Sequence, residues 1–308
     1  MNTTRLQNVR GEMDTFRSGR QLGLANSFGC IPPIFRSPFL EKVAFGTHLP
    51  AFAELSRYFV DFNPPSPDCL LRDWFDFFYN ILCERYRCEY IYKNAIATNI
   101  FLSRHSFQHS YMTSEIRSAK SRADVAILNG TSTVYEIKSQ FDSFDRLEGQ
   151  LEDYKKVFDK IYVVTTEVKA AYLLDHIPMP VGIIALRNNG ALRTVRECES
   201  NKENIDPSTA FDCMRQSEFC RAVSGILGPI PSVPNSQLYR TARNMFISLS
   251  PSVAHDLMVQ QLKSRETRKP FTDLIDGAPV SLKHACLSLS KSDKIANKIA
   301  ERLNSPLL

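Results

Sequence analysis

Residues Ser121–Thr166 read SRADVAILNGTSTVYEIKSQFDSFDRLEGQLEDYKKVFDKIYVVTT. Two runs rich in apolar and β-branched residues, 123–128 and 133–137, flank Asn129-Gly130, a strong hairpin signal. Asp124 sits inside the first run, and Glu136-Ile137-Lys138 closes the second. Side chains alternate along a strand, so Glu136 and Lys138 point to one face while Tyr135 and Ile137 point to the other. Two carboxylates and an ammonium on one sheet face are costly in an ordinary core. They are accounted for if the acids hold a hard divalent cation, which takes oxygen ligands and keeps waters for a substrate phosphate. The lysine then orients or activates a bound water, or stabilises charge developing on phosphate. The chemistry indicated is metal-assisted hydrolysis of a phosphodiester.

The turn decides whether this works. A two-residue loop at Asn129-Gly130 places Asp124 opposite Tyr135, on the face away from Glu136. A three-residue loop, 129–131, places Leu128 opposite Ser132 and Asp124 opposite Glu136; a bulge before Asp124 has the same effect. The expectation is that the simple two-residue hairpin is wrong or is corrected, bringing the two carboxylates within about 6 Å of each other, close enough to share a cation.

Outward from this hairpin, residues 144–158 have the stripe Leu147, Leu151, Tyr154 and Phe158 of an amphipathic helix. Residues 161–165 form a buried strand by composition, and 181–186 with 191–196 form a second hairpin through Asn188-Asn189-Gly190. Toward the N-terminus, 111–117 reads as a strand carrying Glu115, and 90–102 as a short helix. Ser66-Pro67-Asp68 is a helix start by capping rules, followed by Leu70, Leu71, Trp74, Phe75, Phe78, Ile81 and Leu82 at helical spacing. Residues 1–66 read as an irregular arm broken by prolines, with one helix near 51–59. After the polar linker ECESNKENIDPS come helical segments near 213–227, 237–249, 253–265, 281–289 and 291–303. The expected organisation is an arm (1–66), an α/β domain (67–199) and a helical C-terminal region (200–308).

The chain of 308 residues has 43% hydrophobic and 23% charged residues, the range of ordinary globular domains. Its net charge of +5 permits a phosphate-rich partner without specifying one. From residue 207 onward, 13 Lys and Arg face 8 Asp and Glu, spread along the helices, so a solvated surface competes with a nucleic-acid or partner surface. No apolar stretch is long enough to span a bilayer, and residues 1–20 lack an apolar signal region, so the expectation is a cytoplasmic protein without membrane contact. The eight cysteines are scattered without paired CxxC spacing, and His105 and His109 lack an HExxH frame, which argues against structural zinc. There is no GxxxxGK[ST] loop for ATP.

Taken together, Asp124, Glu136-Ile137-Lys138 and a following helix with Gln150 and Tyr154 resemble the PD-(D/E)XK superfamily of restriction-endonuclease-like nucleases. The longer string resembles an uncharacterised bacterial and phage-associated family within it. That string comprises Y92-K93-N94-A95-I96, R104-H105-S106, Glu115, A123-D124, N129 to K138, D145-R146-L147, Gln150 and Tyr154. Ala123 stands where the motif's proline usually precedes the aspartate. The resemblance implies an α/β fold, a central mixed sheet flanked by helices, here followed by a helical C-terminal region. It implies Mg²⁺ or Mn²⁺ held by Asp124 and Glu136, Lys138 as the catalytic lysine, and Glu115 as an additional acid that ligates metal or positions water.

Arg146, Gln150 and Tyr154 fall on one line along the helix, with Gln150 in reach of the active-site edge. Lys93, Arg122, Arg146 and Tyr154 are the candidate nucleic-acid contacts, and Arg117 and Lys120 lie near the same acids in sequence. The competing readings are ordinary: a surface salt bridge for the acids and lysine, core packing for Tyr154, solvated charges for the rest. The expected function is divalent-metal-dependent hydrolysis of phosphodiester bonds in DNA. The alternative is a catalytically silent module binding nucleic acid or a partner in a phage-related or defence assembly.

Overall fold

A computed structural model describes residues 27–105, 109–265, 269–289 and 292–307. The chain divides into two compact units, Met1–Asn94 with Arg268–Leu308, and Ala95–Thr267. Neither boundary follows the organisation expected from sequence. The helix with the Trp74 stripe groups with the N-terminal segment, and the C-terminal helices are shared between the two units.

The first unit is helical. It contains α1 (Ser37–Ala44), α2 (Leu49–Tyr58) and α3 (Leu71–Arg85), with the C-terminal helices Lys269–Gly277, Lys283–Leu287 and Asp293–Leu303. The arm therefore carries two helices, α1 and α2, the second where one was expected near 51–59, while residues 1–26 lie outside the described residues. Its core is aromatic: Phe52 is fully buried and meets Phe75, Phe39 and Trp74 at 5.2, 5.7 and 6.1 Å between ring centroids. Such edge-to-face contacts add to the burial of each ring.

Helix α3 begins later than the capping pattern at Ser66 suggests. The Leu71 N–H donates to the Ser305 carbonyl at 2.9 Å, and the Leu307 N–H donates to the Cys69 carbonyl at 3.2 Å. This bridge to the C-terminal segment holds Leu70 extended, and Asp73 then accepts from the Leu70 N–H at 3.0 Å to open the helix. A non-local pairing outweighs the local cap.

Helix α4 (Glu89–Ile96) runs into a π-helical turn, Ala97–Phe101. In the second unit, six strands form a mixed sheet in the order β1-β4-β5-β6-β7-β8. They are β1 (Tyr111–Thr113), β4 (Val125–Leu128), β5 (Ser132–Lys138), β6 (Lys160–Thr166), β7 (Gly182–Leu186) and β8 (Leu192–Arg196). Strands β5, β6 and β7 are parallel, and the other pairs are antiparallel. Parallel neighbours need crossovers, which α5 (Leu147–Lys155) and α6 (Glu167–His176) occupy. The strand expected over 111–117 is instead two, broken at Glu115, and its second half, β2 (Ile116–Ser118), pairs with β3 (Ser121–Ala123) in a separate hairpin.

The α5 stripe Leu147, Leu151 and Tyr154 is buried, with Phe158 beyond it, in one hydrophobic cluster with Val134, Val163 and Ile183 of the sheet. The same cluster takes in Phe211, Phe219, Phe246 and Met258. These belong to α7 (Pro207–Asp212), α8 (Gln216–Leu227), α9 (Asn235–Phe246) and α10 (Pro251–Lys263), so this part of the C-terminal region shares the sheet's core. His255 of α10, fully buried, reaches Ser132 Oγ at 2.8 Å and ties that layer to the start of β5. No helix among the described residues is long and apolar enough to cross a membrane, and none of the eight cysteines is in a disulfide.

The β4–β5 register pairs Leu128 with Ser132 and Val125 with Tyr135. The loop is the three-residue 129–131, with Gly130 at φ +103° where a side chain is disfavoured. One further step along the ladder sets Asp124 opposite Glu136, so the simple two-residue hairpin is excluded, as expected.

Candidate active site

Because β4 runs antiparallel to β5, the start of β4 and the end of β5 lie at the same edge of the sheet. Asp124 immediately precedes β4, Lys138 ends β5, and Thr166 ends the parallel β6 beside it. Parallel sheets collect their ligands outside these carboxyl ends, where loops rather than ladder bonds fix the side chains.

Glu136 is 2% exposed and Lys138 5% exposed. The Lys138 ammonium lies 2.9 Å from Glu136 Oε1 and donates to Gln150 Oε1 at 2.7 Å. The Tyr154 hydroxyl lies 2.6 Å from Glu136 Oε2 and 2.8 Å from the Arg122 carbonyl, presenting one proton to two acceptors. Burial, and then the Glu136 charge beside it, push the Tyr154 phenol well above its ordinary pKa, so it serves as a donor and not as a base. Asp124, half-buried, accepts from the Ile137 N–H at 2.7 Å, which fixes its carboxylate against β5.

Glu115 lies in the left-handed region at φ +62°, and its N–H donates to the Ala123 carbonyl at 2.9 Å. That strained position sets its carboxylate within 4.8 Å of the Asp124 carboxylate. Asp124 and Glu115 thus converge from positions just outside β4 and β2, where the sequence had placed both acids within strands. Glu136 does not join them in a tight trio of ligand oxygens among the described residues. Tyr154 and Lys138 hold it, and only two of a carboxylate's roughly four acceptor sites are used in that way. The donor set is all oxygen, the chemistry suited to Mg²⁺ or Mn²⁺ rather than to zinc.

The expected nucleic-acid contacts divide. Arg122 and Arg146 are exposed. Tyr154 is fully buried and is a partner of Glu136 instead of a surface contact. Lys93 is 9% exposed, with its ammonium 2.5 Å from Glu89 one helical turn away, and so is not a free phosphate contact. His105 lies beside Phe101 and 3.4 Å from the Asn129 amide, and burial lowers its pKa; neither contact involves the acids.

Lys169 was missed. It lies on α6 and donates to the carbonyls of Ser139, Gln140 and Asp142 at 2.7, 3.3 and 2.5 Å, fixing the loop directly after Lys138. No local pattern marks such a residue, because its partners sit on another element. The role of Tyr154 did have a signal, since it falls one helical turn beyond Gln150.

A family model described as bacteriophage P4 protein cII matches residues 83–273. Protein cII of Enterobacteria phage P4 is 37% identical over 70 residues, which is 23% of this chain and 26% of that protein. The match therefore spans about a quarter of the relative's length. A solved structure of a protein of unknown function from Silicibacter pomeroyi aligns with a TM-score of 0.27 and 17% identity, over 37% of this chain and 74% of the other.

Proposed function

The chain belongs to the bacteriophage P4 protein cII family, and from the carboxylate–lysine geometry of its second unit we propose that this unit is a divalent-metal-dependent nuclease of the PD-(D/E)XK type, hydrolysing phosphodiester bonds in DNA. One observation carries this reading. Asp124, Glu136 and Lys138 meet at one sheet edge, with the buried ammonium 2.9 Å from Glu136 and 2.7 Å from Gln150. Burial of a lysine and an acid is costly, and the fold holds both, with the ammonium bonded to two partners and each carboxylate oxygen to one.

Asp124, Glu136 and Glu115 would hold Mg²⁺ or Mn²⁺, which supplies charge neutralisation and a more acidic bound water. Lys138 is aimed by Gln150 and Glu136, so that its charge is fixed before substrate arrives. It stabilises the negative charge that grows on the phosphate as water attacks and the leaving oxygen departs. Tyr154 keeps Glu136 in its rotamer. Within this reading the mixed sheet with its crossover helices is a restriction-endonuclease-like core, working in the cytoplasm on a phage-related or defence task.

A second reading is a catalytically silent module that binds nucleic acid or a partner. The observation favouring it is that both Glu136 oxygens already have protein donors. Incubation of the full chain with supercoiled, linear and single-stranded DNA and with RNA, in Mg²⁺, Mn²⁺ or EDTA, separates the two. Metal-dependent cutting that Asp124→Asn and Glu136→Gln abolish, and Lys138→Ala slows, supports the nuclease. Binding without cutting in any metal supports the silent module.

A further inference from the structure

The hairpin β2–β3 leads directly into Asp124 and carries an arrangement that folding alone does not favour. Its register pairs Arg117 directly with Arg122. Both are exposed, while Ser118 and Ala123 beside them are buried, so the two guanidinium groups share the outer face. Like charges directly opposed on one face repel. Lys120, also exposed, adds a third cation in the turn. Among the described residues no acidic side chain forms an ion pair with any of the three.

The hairpin is also held rigidly. Asp153, buried on α5, accepts from the Lys120 N–H at 3.2 Å and the Ser121 hydroxyl at 2.9 Å, and its carbonyl accepts from Ser118 Oγ at 2.7 Å. Burial raises the Asp153 pKa, but its bonds to Lys156, Ser121 and Lys120 outweigh that and hold it below the usual carboxylate range. The turn residue Ala119 takes φ +50°, an uncommon conformation for a residue with a Cβ. Next in the chain on either side of the hairpin are the two acids, Glu115 before β2 and Asp124 after β3.

Resting on the nuclease reading, we propose that β2–β3 is a phosphate-binding finger. Arg117, Arg122 and Lys120 grip the sugar–phosphate backbone of the nucleic-acid strand that is delivered to Asp124 and Glu136. The opposed cations are then matched by an array of phosphates rather than by protein acids. Contacts of this type position a strand without reading its sequence.

Counterion release makes the number of contacts measurable. The salt slope of log affinity changes by about 0.9 for each phosphate contact on duplex DNA and about 0.7 on a single strand. Anisotropy titrations of labelled duplex and single-stranded oligonucleotides, in EDTA so that nothing is cut, give the slopes for the full chain. Arg117→Gln with Arg122→Gln is expected to flatten the slope by about 1.8 on duplex or about 1.4 on a single strand. Its melting midpoint should not fall, because the removed charges repel each other. A charge-matched control, Arg240→Gln with Lys160→Gln, removes two exposed cations from α9 and from the opposite end of β6, and should leave the slope unchanged.

Equal slopes for the hairpin variant and the control, with cutting by the wild type intact, overturn the finger and leave the nuclease reading standing. Hairpin-dependent binding with no cutting in Mg²⁺ or Mn²⁺ overturns the nuclease reading and keeps the backbone contact. Absence of any binding by the wild type overturns the finger, and if cutting in Mg²⁺ and Mn²⁺ is absent as well it overturns both.

Discussion

The hydroxyl of Tyr154 lies 2.6 Å from Oε2 of Glu136, inside a core where neither group meets solvent. It is the only hydrogen bond from α5 to that carboxylate among those of the described residues, and the Lys138 ammonium holds the other oxygen. Removing it in Tyr154→Phe leaves a buried carboxylate oxygen and the Arg122 carbonyl short of a donor, a cost of about 1–3 kcal/mol in stability. A partner that orients a metal ligand typically changes affinity or activity about 10–100-fold. Urea unfolding and Mn²⁺ dependence of cleavage check the two effects separately. Lower stability with an unchanged Mn²⁺ profile would reduce Tyr154 to a packing role.

The Glu136–Lys138 pair sets up a second expectation. Breaking a buried pair from one side leaves the other charge uncompensated, at about 3–5 kcal/mol, whereas replacing both members is far milder. Lys138→Met and Glu136→Gln should each destabilise the protein, and the double variant should lose less than the sum of the two. Urea midpoints for the three proteins give the coupling. Strict additivity would mean that the two side chains do not share the 2.9 Å contact in solution.

Glu115 trades stability for position. At φ +62° any residue with a Cβ is held at a cost of about 1–2 kcal/mol, and glycine is not. Glu115→Gly is expected to raise the unfolding free energy by about 1 kcal/mol. Glu115→Ala keeps the strain and should show no such gain. Both remove the carboxylate that faces Asp124, so both should slow metal-dependent cleavage. Equal stability for the Gly and Ala variants would show that the backbone relaxes at no cost.

What was legible in the sequence was local periodicity, of two residues along the strands and of a helical turn along α5. That the hairpin is not the simple two-residue one could be deduced, because that register would send Asp124 to the wrong face; of the two corrections considered, the loop 129–131 is the one found. The stripe of α5 was visible because Leu147, Leu151 and Tyr154 recur at helical spacing and are all buried. Helix α6 left no such trace: Val168, Tyr172 and Leu174 are exposed, and only Ala170 and Leu173 are buried. The division into units was hidden for another reason. It depends on α3 joining a segment more than two hundred residues away through Leu71 and Ser305, and no periodicity encodes such a pairing. Lys93 illustrates the limit for charges, since a lysine expected as a phosphate contact or a solvated charge is instead buried beside Glu89.

His284 provides a test that does not involve the acids. It is buried in the first unit, its N–H donating to Asn94 Oδ1 at 2.9 Å and its ring lying 5.9 Å from that of Tyr90. Burial lowers its pKa from 6.5 to about 3, and the Lys93 charge acts in the same direction. The folded form therefore keeps this imidazole neutral at pH values where the unfolded chain takes up a proton. The linkage has one sign: stability is fully present above the unfolded value of 6.5 and falls as pH drops toward 3. Through that window one proton contributes up to about 1.4 kcal/mol per pH unit. His284→Gln cannot take up the proton, so its urea midpoint should fall less steeply than that of the wild type between about pH 6 and pH 4. Carboxylates that titrate in the same range do so in both proteins, and the difference between the two curves isolates His284. Parallel curves would mean that the imidazole is reached by solvent and protonated in the folded protein.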